Sequence, residues 1–314
     1  MRFLITGDAG FIGRHLAQEL RDHGAEVEGF DISRAPGDDV LVSGAFRAAA
    51  ERTRPDAVIH LAARVGRLFG EAEKRQTVRS NAEMTTVVAS VCGELGVRLV
   101  YASTSEVYGD QGDAVCREDG PLTLSHNLYG VSKRWGEDAC NLYAPDGLTI
   151  LRFSMPYGPG VPVGRGRAAL PNVLWQAHTG QRIPIHRGAE RSWCWIGDTV
   201  AAARLSIDAG AGIYNIGRDD AACSMYDLAV KACGMVGASP ELIDMIDPPE
   251  RQTVVKRLCT DKIRALGWRP TVELDAGMRL VYDWVRHFDA RGRYVGDDSG
   301  GVEPDAQRAG SLAA

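Results

Sequence analysis

A chain of 314 residues, 45% of them hydrophobic, is long enough to bury one large core or two lobes. Its net charge of -5, with no basic block, argues against a nucleic-acid surface, and no apolar run approaches the roughly 18 residues of a membrane span. Seven cysteines, an odd count with no Cys-x-x-Cys pair, speak for reduced thiols in a cytoplasmic protein and against a disulfide framework or a zinc site. Cys194 reads as a buried structural thiol. No metal ligand set stands out, and no secretory leader is expected before the first strand.

That strand is Phe3-Leu4-Ile5-Thr6. Gly7-Asp8-Ala9-Gly10-Phe11-Ile12-Gly13 follows as a turn opening a helix, in the pattern G-x-x-G-x-x-G. Such a turn lets the backbone approach a pyrophosphate, and the first helical residues, Phe11, Ile12 and Gly13, offer it unpaired N–H groups and a positive dipole end. The helix continues through Leu16 and Leu20 to Gly24. A second strand, Glu26 to Phe30, delivers Asp31, at the spacing of a carboxylate that holds the ribose 2′-hydroxyl of a dinucleotide. Asp31 favours NAD, because a carboxylate repels the 2′-phosphate of NADP. Arg34, three residues on, is expected to soften that preference.

A further strand after Asp31 is poorly marked. A helix is expected over 45–53, then the strand Ala57-Val58-Ile59-His60-Leu61-Ala62-Ala63. Small residues at its end, Leu61-Ala62-Ala63, allow a flat cofactor to approach, and His60 reads as a satisfied core residue. Arg64-Val65-Gly66-Arg67 follows as a loop at a strand's carboxyl end, where ligands bind in open α/β sheets. The charged run from Glu71 to Arg79 reads as a solvated face. Asn81 opens a long helix to Leu95, with a plain N-cap role as one reading.

Leu99-Val100-Tyr101-Ala102 suits a buried strand that turns polar at Ser103-Thr104-Ser105-Glu106. Beyond a loop, Tyr129 and Lys133 stand one helical turn apart on one face. A phenol has a pKa of about 10 and is a poor base, and a nearby ammonium favours the phenolate. Thr104 supplies a hydroxyl for the same proton-handling cluster. On a strand, residues two apart share a face, which turns Glu106 toward whatever Thr104 meets.

From Arg2 to about Phe288, these motifs together resemble the extended short-chain dehydrogenase/reductase superfamily, and most of all its NAD-dependent nucleotide-sugar epimerase/dehydratase branch. The resemblance implies an α/β fold: a doubly wound parallel (Rossmann) sheet over 1–160 and a smaller, mainly substrate-binding lobe over 161–290, some segments of which return to the Rossmann domain; the residues 291–314, low in apolar content, read as a disordered tail. The same resemblance implies NAD as cofactor, with Tyr129, Lys133 and Thr104 catalytic, and Asp39-Val40 as the acid-plus-aliphatic pair on the adenine; a turn acid is the alternative for Asp39. The wording Ala-Ala-x-Val-Gly, with Val65 toward substrate, is similar to GDP-sugar epimerase-reductases. The helices ending at Leu95 and following Tyr129 correspond to a pair that builds a homodimer interface in relatives.

In the second half, Thr149 to Phe153 is a strand that runs into Ser154-Met155-Pro156-Tyr157-Gly158-Pro159-Gly160. Met155 takes the place of an asparagine that touches the sugar nucleotide in relatives, and a thioether cannot donate the amide's hydrogen bonds. Arg165 lies on a basic, glycine-rich loop that covers the nucleotide in relatives. Arg191, ahead of Trp193-Cys194-Trp195, is the family-like contact for the diphosphate, with a surface salt bridge as the alternative, and Arg251 is a second phosphate contact. Asp198 reads as a helix N-cap.

The implied substrate is a nucleotide-diphosphate sugar oxidised at C4. Glu106 favours a 4,6-dehydratase or a UDP-glucuronate decarboxylase-like enzyme over a 4-epimerase. Ser105 stands where deoxythymidine diphosphate-glucose dehydratases carry an acid. A 4-epimerase and a GDP-sugar epimerase/reductase remain alternatives, as does a non-catalytic dinucleotide-binding protein, against which Thr104, Tyr129 and Lys133 all speak.

Overall fold

The computed structural model describes residues 1–161, 163–164, 169–220, 222–249 and 253–295. Arg165 and Arg251, both expected at the phosphates, lie outside the described residues, as does most of the expected tail. Residues 291–295 do not follow that expectation: the chain turns back, Tyr294 stacks on Trp284 with ring centres 5.6 Å apart, and the Val295 N–H donates to the His287 carbonyl. Burying an aromatic ring offsets the cost of ordering the segment.

The frame is a six-stranded, wholly parallel sheet. Its strands are β1 (Arg2–Thr6), β2 (Glu26–Phe30), β3 (Ala57–His60), β4 (Arg98–Thr104), β5 (Thr149–Phe153) and β6 (Gly212–Ile216), in the order β6-β5-β4-β3-β1-β2. The central strands are near-continuous apolar runs because helices cover both faces. On one face, α1 (Phe11–Asp22) and α6 (Ile196–Ala209) pack Leu16, Leu20, Val200 and Ile207 over Phe3, Ile5 and Ile59. On the other, α2 (Ala45–Thr53), α3 (Met84–Leu95) and α4 (Leu128–Tyr143) pack Phe46, Val88 and Cys140 over Leu4, Val58 and Tyr101. Strand order reverses between β1 and β3, which places a ligand crevice at the carboxyl ends of these two strands.

The second lobe is built by α5 (Ala169–His178), α7 (Met225–Val236) and α8 (Leu274–Val285), with the parallel pair Ile183–His186 and Ile243–Ile246, around Leu174, Trp193, Leu228 and Val281. Among the described residues no helix is long and apolar enough to cross a membrane, and no three potential metal ligands gather. All seven cysteines are unbridged.

Several local expectations are corrected. No strand forms between β2 and α2; Asp39 instead accepts the Leu41 N–H at 2.9 Å, a side-chain turn, and Val40 is buried in the core. The strand expected over 57–63 ends at His60. Asn81 caps nothing: it lies inside a π turn, Arg79–Glu83, between the helix Lys74–Val78 and α3. Asp198 is not an N-cap either, because α6 begins two residues earlier. Its buried carboxylate accepts the N–H groups of Thr271 at 2.9 Å and Val272 at 3.1 Å, tying α6 to the chain that enters α8.

Candidate active site

At the crevice, the glycine turn is shaped by contact. Gly7 has φ of 76°, a left-handed conformation, and a Cβ there would lie 2.6 Å from the Ala62 nitrogen. At Gly13 a Cβ would strike the Gly7 carbonyl and the Asp8 backbone, so loop and helix close on each other. A Cβ at Gly10 would meet only the Gly7 carbonyl, at 3.1 Å. Gly10 caps α1 without a side-chain hydrogen bond, so the N–H groups of Phe11, Ile12 and Gly13 point out of the helix end. This cradle fits the pyrophosphate of a dinucleotide.

Asp31, at the end of β2, accepts the Ala9 N–H at 3.2 Å and the Ser33 N–H at 2.8 Å. Leu61, Ala62 and Ala63 are half-buried beside it, the Leu61 N–H bonded to the Thr6 carbonyl at 3.0 Å. His60 is a core residue: Nδ1 meets the Thr6 hydroxyl at 2.7 Å and Nε2 the Thr85 hydroxyl at 3.1 Å. Burial first, and then the Lys133 charge, lowers its pKa to about 3, which keeps it neutral.

The other side of the crevice is assembled by β4 and α4. Asn127 caps α4 by accepting the Gly130 N–H at 2.9 Å, which fixes where Tyr129 enters. Thr104, Tyr129 and Lys133 are all buried. The expected contact of ammonium with phenol is not what the structure holds. Lys133 Nζ donates to the Ala102 carbonyl at 2.8 Å and lies 5.0 Å from the centre of the Tyr101 ring. Burial pushes the Tyr129 phenol above its usual pKa; the hydrogen bond with Thr104 opposes this, and the charge of Glu106 adds to it. Burial brings Lys133 down to about 8. Asn81 supports the cluster from below, donating to the Ser132 hydroxyl and to the Arg64 carbonyl at 3.0 Å each and accepting the Arg64 N–H at 2.8 Å. Val65, next to this clamp, is exposed.

Strand β4 ends at Thr104, so alternation does not place Glu106. Buried Ser105 opens a short turn, Ser105–Tyr108, capped by the Thr104 hydroxyl, which accepts the Glu106 N–H at 3.3 Å. The turn brings Glu106 to the same crevice by another route. Its carboxylate meets Lys256 Nζ at 2.6 Å and accepts the Asn127 amide at 2.9 Å. Burial raises the Glu106 pKa, but Lys256 and Asn127 outweigh it and hold the carboxyl below its usual value. Lys256 was not singled out from the sequence. The available signal was a lone lysine in the apolar stretch Val254-Val255-Lys256-Arg257-Leu258.

Arg191 lies on the strand Glu190–Ser192, half-buried, with the charges of Glu106 and Arg67 beside it. Its guanidinium donates to the carbonyls of Glu190, Val254 and Thr253 at 2.7, 2.6 and 3.0 Å. This is no surface salt bridge: the cation is built into the wall of the crevice. Met155 holds φ of 46°, a left-handed backbone that asparagine tolerates better than an unbranched apolar residue. It packs its side chain against the second lobe.

With this geometry in view, the comparisons place the chain among known proteins. The model of the NAD dependent epimerase/dehydratase family matches residues 3–217. The chain is 28% identical to "UDP-glucuronic acid decarboxylase 5" of Arabidopsis thaliana, over 91% of this chain and 89% of the relative. It is 32% identical to "Probable UDP-glucuronate 4-epimerase" of Rhizobium meliloti, over 90% and 96%. Its fold superposes on the UDP-glucose 4-epimerase of Thermus thermophilus solved with NAD, with a TM-score of 0.82 and 25% identity, over 91% of this chain and 99% of the other.

Proposed function

The chain belongs to the NAD-dependent epimerase/dehydratase family, and we propose that it acts on a UDP-linked uronic acid, oxidising C4 and removing the C5 carboxyl group as carbon dioxide. The observation that carries this reading is the ion pair of half-buried Glu106 with buried Lys256, with Arg191 beside it. Lys256 and Arg191 bring two cations to one carboxylate. A sugar carboxylate reduces that surplus, whereas a neutral sugar does not. The similarity to a glucuronate decarboxylase and a glucuronate 4-epimerase supports the same substrate class.

Bound NAD supplies the acceptor and later the donor of the C4 hydride. The rest falls to the chain. Tyr129, which burial keeps protonated in the free chain, would take the C4 hydroxyl proton only after the charges of Lys133 and the bound cofactor have drawn its own proton off, with the Thr104 hydroxyl bridging phenol and sugar oxygen. Lys133 brings positive charge to the deprotonated state. The 4-ketone then makes the C5 carboxylate a β-keto acid. The C5–C6 bond breaks, carbon dioxide leaves, and its electrons pass to the C4 oxygen, where Tyr129 and Thr104 hold the developing charge. A proton returns to C5, and reduction of the ketone closes the cycle. Glu106 is held ionised and fixed by Lys256 and Asn127, so it orients the sugar's acidic end. Ser105 supplies no acid for expelling a C6 hydroxyl, which disfavours 4,6-dehydration.

The test is incubation with UDP-glucuronate and, separately, UDP-glucose, followed by mass analysis. Loss of carbon dioxide from UDP-glucuronate is expected, with UDP-glucose unchanged. Loss of water from UDP-glucose would instead assign a 4,6-dehydratase. UDP-glucuronate returned at the same mass with inverted C4 would assign a 4-epimerase, the second reading, which the 32% identity to a glucuronate 4-epimerase favours. Glu106→Gln should leave C4 oxidation visible as nicotinamide absorbance while slowing carbon dioxide release by about 10²-fold or more.

A further inference from the structure

Arg34 would be the natural partner of a 2′-phosphate: it follows Asp31 by three residues, at the end of the strand that addresses the adenosine ribose. The structure engages it otherwise. Arg34 Nε lies 2.7 Å from Oδ2 of Asp8, the second residue of the glycine turn. Although the Arg34 side chain is 57% exposed, that of Asp8 is only 3% exposed. Room for this carboxylate exists because position 29 of β2 is glycine: a Cβ there would coincide with the carboxylate. Asp8 is thus fitted into a slot between β2 and the turn, and its Oδ1 has no hydrogen-bond partner. Asp31 lies close enough to add a second negative charge. Arg34 therefore offsets a buried carboxylate that little else compensates.

We propose that Asp8 is a specificity-determining residue for the cofactor, which withholds the Arg34 guanidinium from the 2′-phosphate of NADP. Two carboxylates then select NAD: Asp31 by addressing the ribose hydroxyls, and Asp8 by engaging the one cation on this loop that would welcome a phosphate. A buried anion holds a guanidinium more firmly than a surface one, because water screens the pair less.

The test uses the full chain stripped of nucleotide and titrated calorimetrically with 5′-AMP and 2′,5′-ADP, which differ by the 2′-phosphate. It needs no sugar substrate, so its outcome is independent of the reaction proposed above. The natural protein should prefer 5′-AMP. Asp8→Asn keeps the shape and removes the charge, and should shift the affinity ratio toward 2′,5′-ADP by about tenfold, the worth of a hydrogen bond to a charged group. Asp8→Asn with Arg34→Ala should return the ratio to within about twofold of the natural value. An unshifted ratio in Asp8→Asn, or a shift that survives loss of Arg34, overturns the proposal. If Asp8→Asn does not fold, Arg34→Ala alone decides. It should leave the ratio unchanged, and a selective loss of 2′,5′-ADP affinity would show that Arg34 already meets the phosphate and defeat the idea.

Discussion

Tyr129 and Lys133 carry opposite burdens from burial. The phenol is pushed up and the ammonium down, to about 8. Tyr129→Phe keeps the ring and removes the acid/base group, so turnover should fall by roughly 10²–10⁴-fold while nucleotide binding, followed by calorimetry, persists. Lys133 also leaves a mark on stability. Its pKa is about 8 in the folded chain against the ordinary lysine value of 10.5. Between those values the unfolded chain binds more protons than the folded one, so stability rises with pH. The rise due to this side chain is at most about 1.4 kcal/mol per pH unit. Denaturant titrations of the nucleotide-free protein should show a steeper rise across pH 8 to 10.5 in the natural chain than in Lys133→Met. Parallel curves would mean that Lys133 titrates normally.

At this scale the sequence was informative where partners are close along the chain. Tyr129 and Lys133 are one turn apart, and the glycine turn reaches Asp31 through a single helix and strand. It was silent where chemistry depends on distant partners. Nothing in Thr104-Ser105-Glu106 announces that its carboxylate meets Lys256. Arg34 looked free to soften cofactor choice until folding placed it on Asp8.

Among elements, β4, α4 and β5 are joined by one buried ion pair. Arg152 of β5 donates to Glu137 of α4 through Nε at 2.9 Å and a terminal nitrogen at 2.7 Å, and Ser103 of β4 donates to the same carboxylate. The guanidinium lies 4.7 Å from the centre of the Tyr108 ring, and Tyr108 donates to Asn215 of β6 at 2.7 Å. This lattice sets α4, and with it Tyr129 and Lys133, against the sheet. Removing one partner leaves a buried charge uncompensated, at a cost of about 3–5 kcal/mol. Glu137→Leu should therefore lower stability by that amount in chemical denaturation, and the pair Glu137→Leu with Arg152→Met should recover most of it. A double variant no more stable than the single one would mean that the contacts to Ser103 and Tyr108, rather than the charge pair, hold the helix. The elements of the sheet were legible because buried parallel strands are apolar runs bounded by turns. Asp198 was misread as a cap, and the cap reading of Asn81 fails with it, because a short polar residue at a helix start carries the same local signal whether it caps its own helix or reaches another segment. The left-handed backbone at Met155 had no signature either, since tertiary contacts hold a residue type that disfavours it.

At the scale of the whole molecule, one helix among the described residues exposes an apolar stripe. On α4, the face turned away from the sheet exposes Val131 at 44%, Trp135 at 59% and Leu142 at 73% of their areas, with Tyr143 at 45% at its end. Positions 131, 135 and 142 fall on one helical stripe, interrupted by Asp138. A large exposed tryptophan within an apolar stripe is the mark of an association surface. The surface is the outer side of the very helix that carries Tyr129 and Lys133, packed on α3. Two copies related by a two-fold axis would cover each other's stripe with the same residues. The expected state is a homodimer, measured by light scattering of the eluting protein. Trp135→Glu places a charge at the centre of the stripe and should yield a monomer at the same concentration. Because α4 also packs on the sheet from its inner face, that monomer should lose thermal stability, by an amount that grows with the concentration at which the natural protein is measured, as mass action requires. A natural chain that elutes as a monomer, or a dimer indifferent to Trp135→Glu, would place the association surface elsewhere.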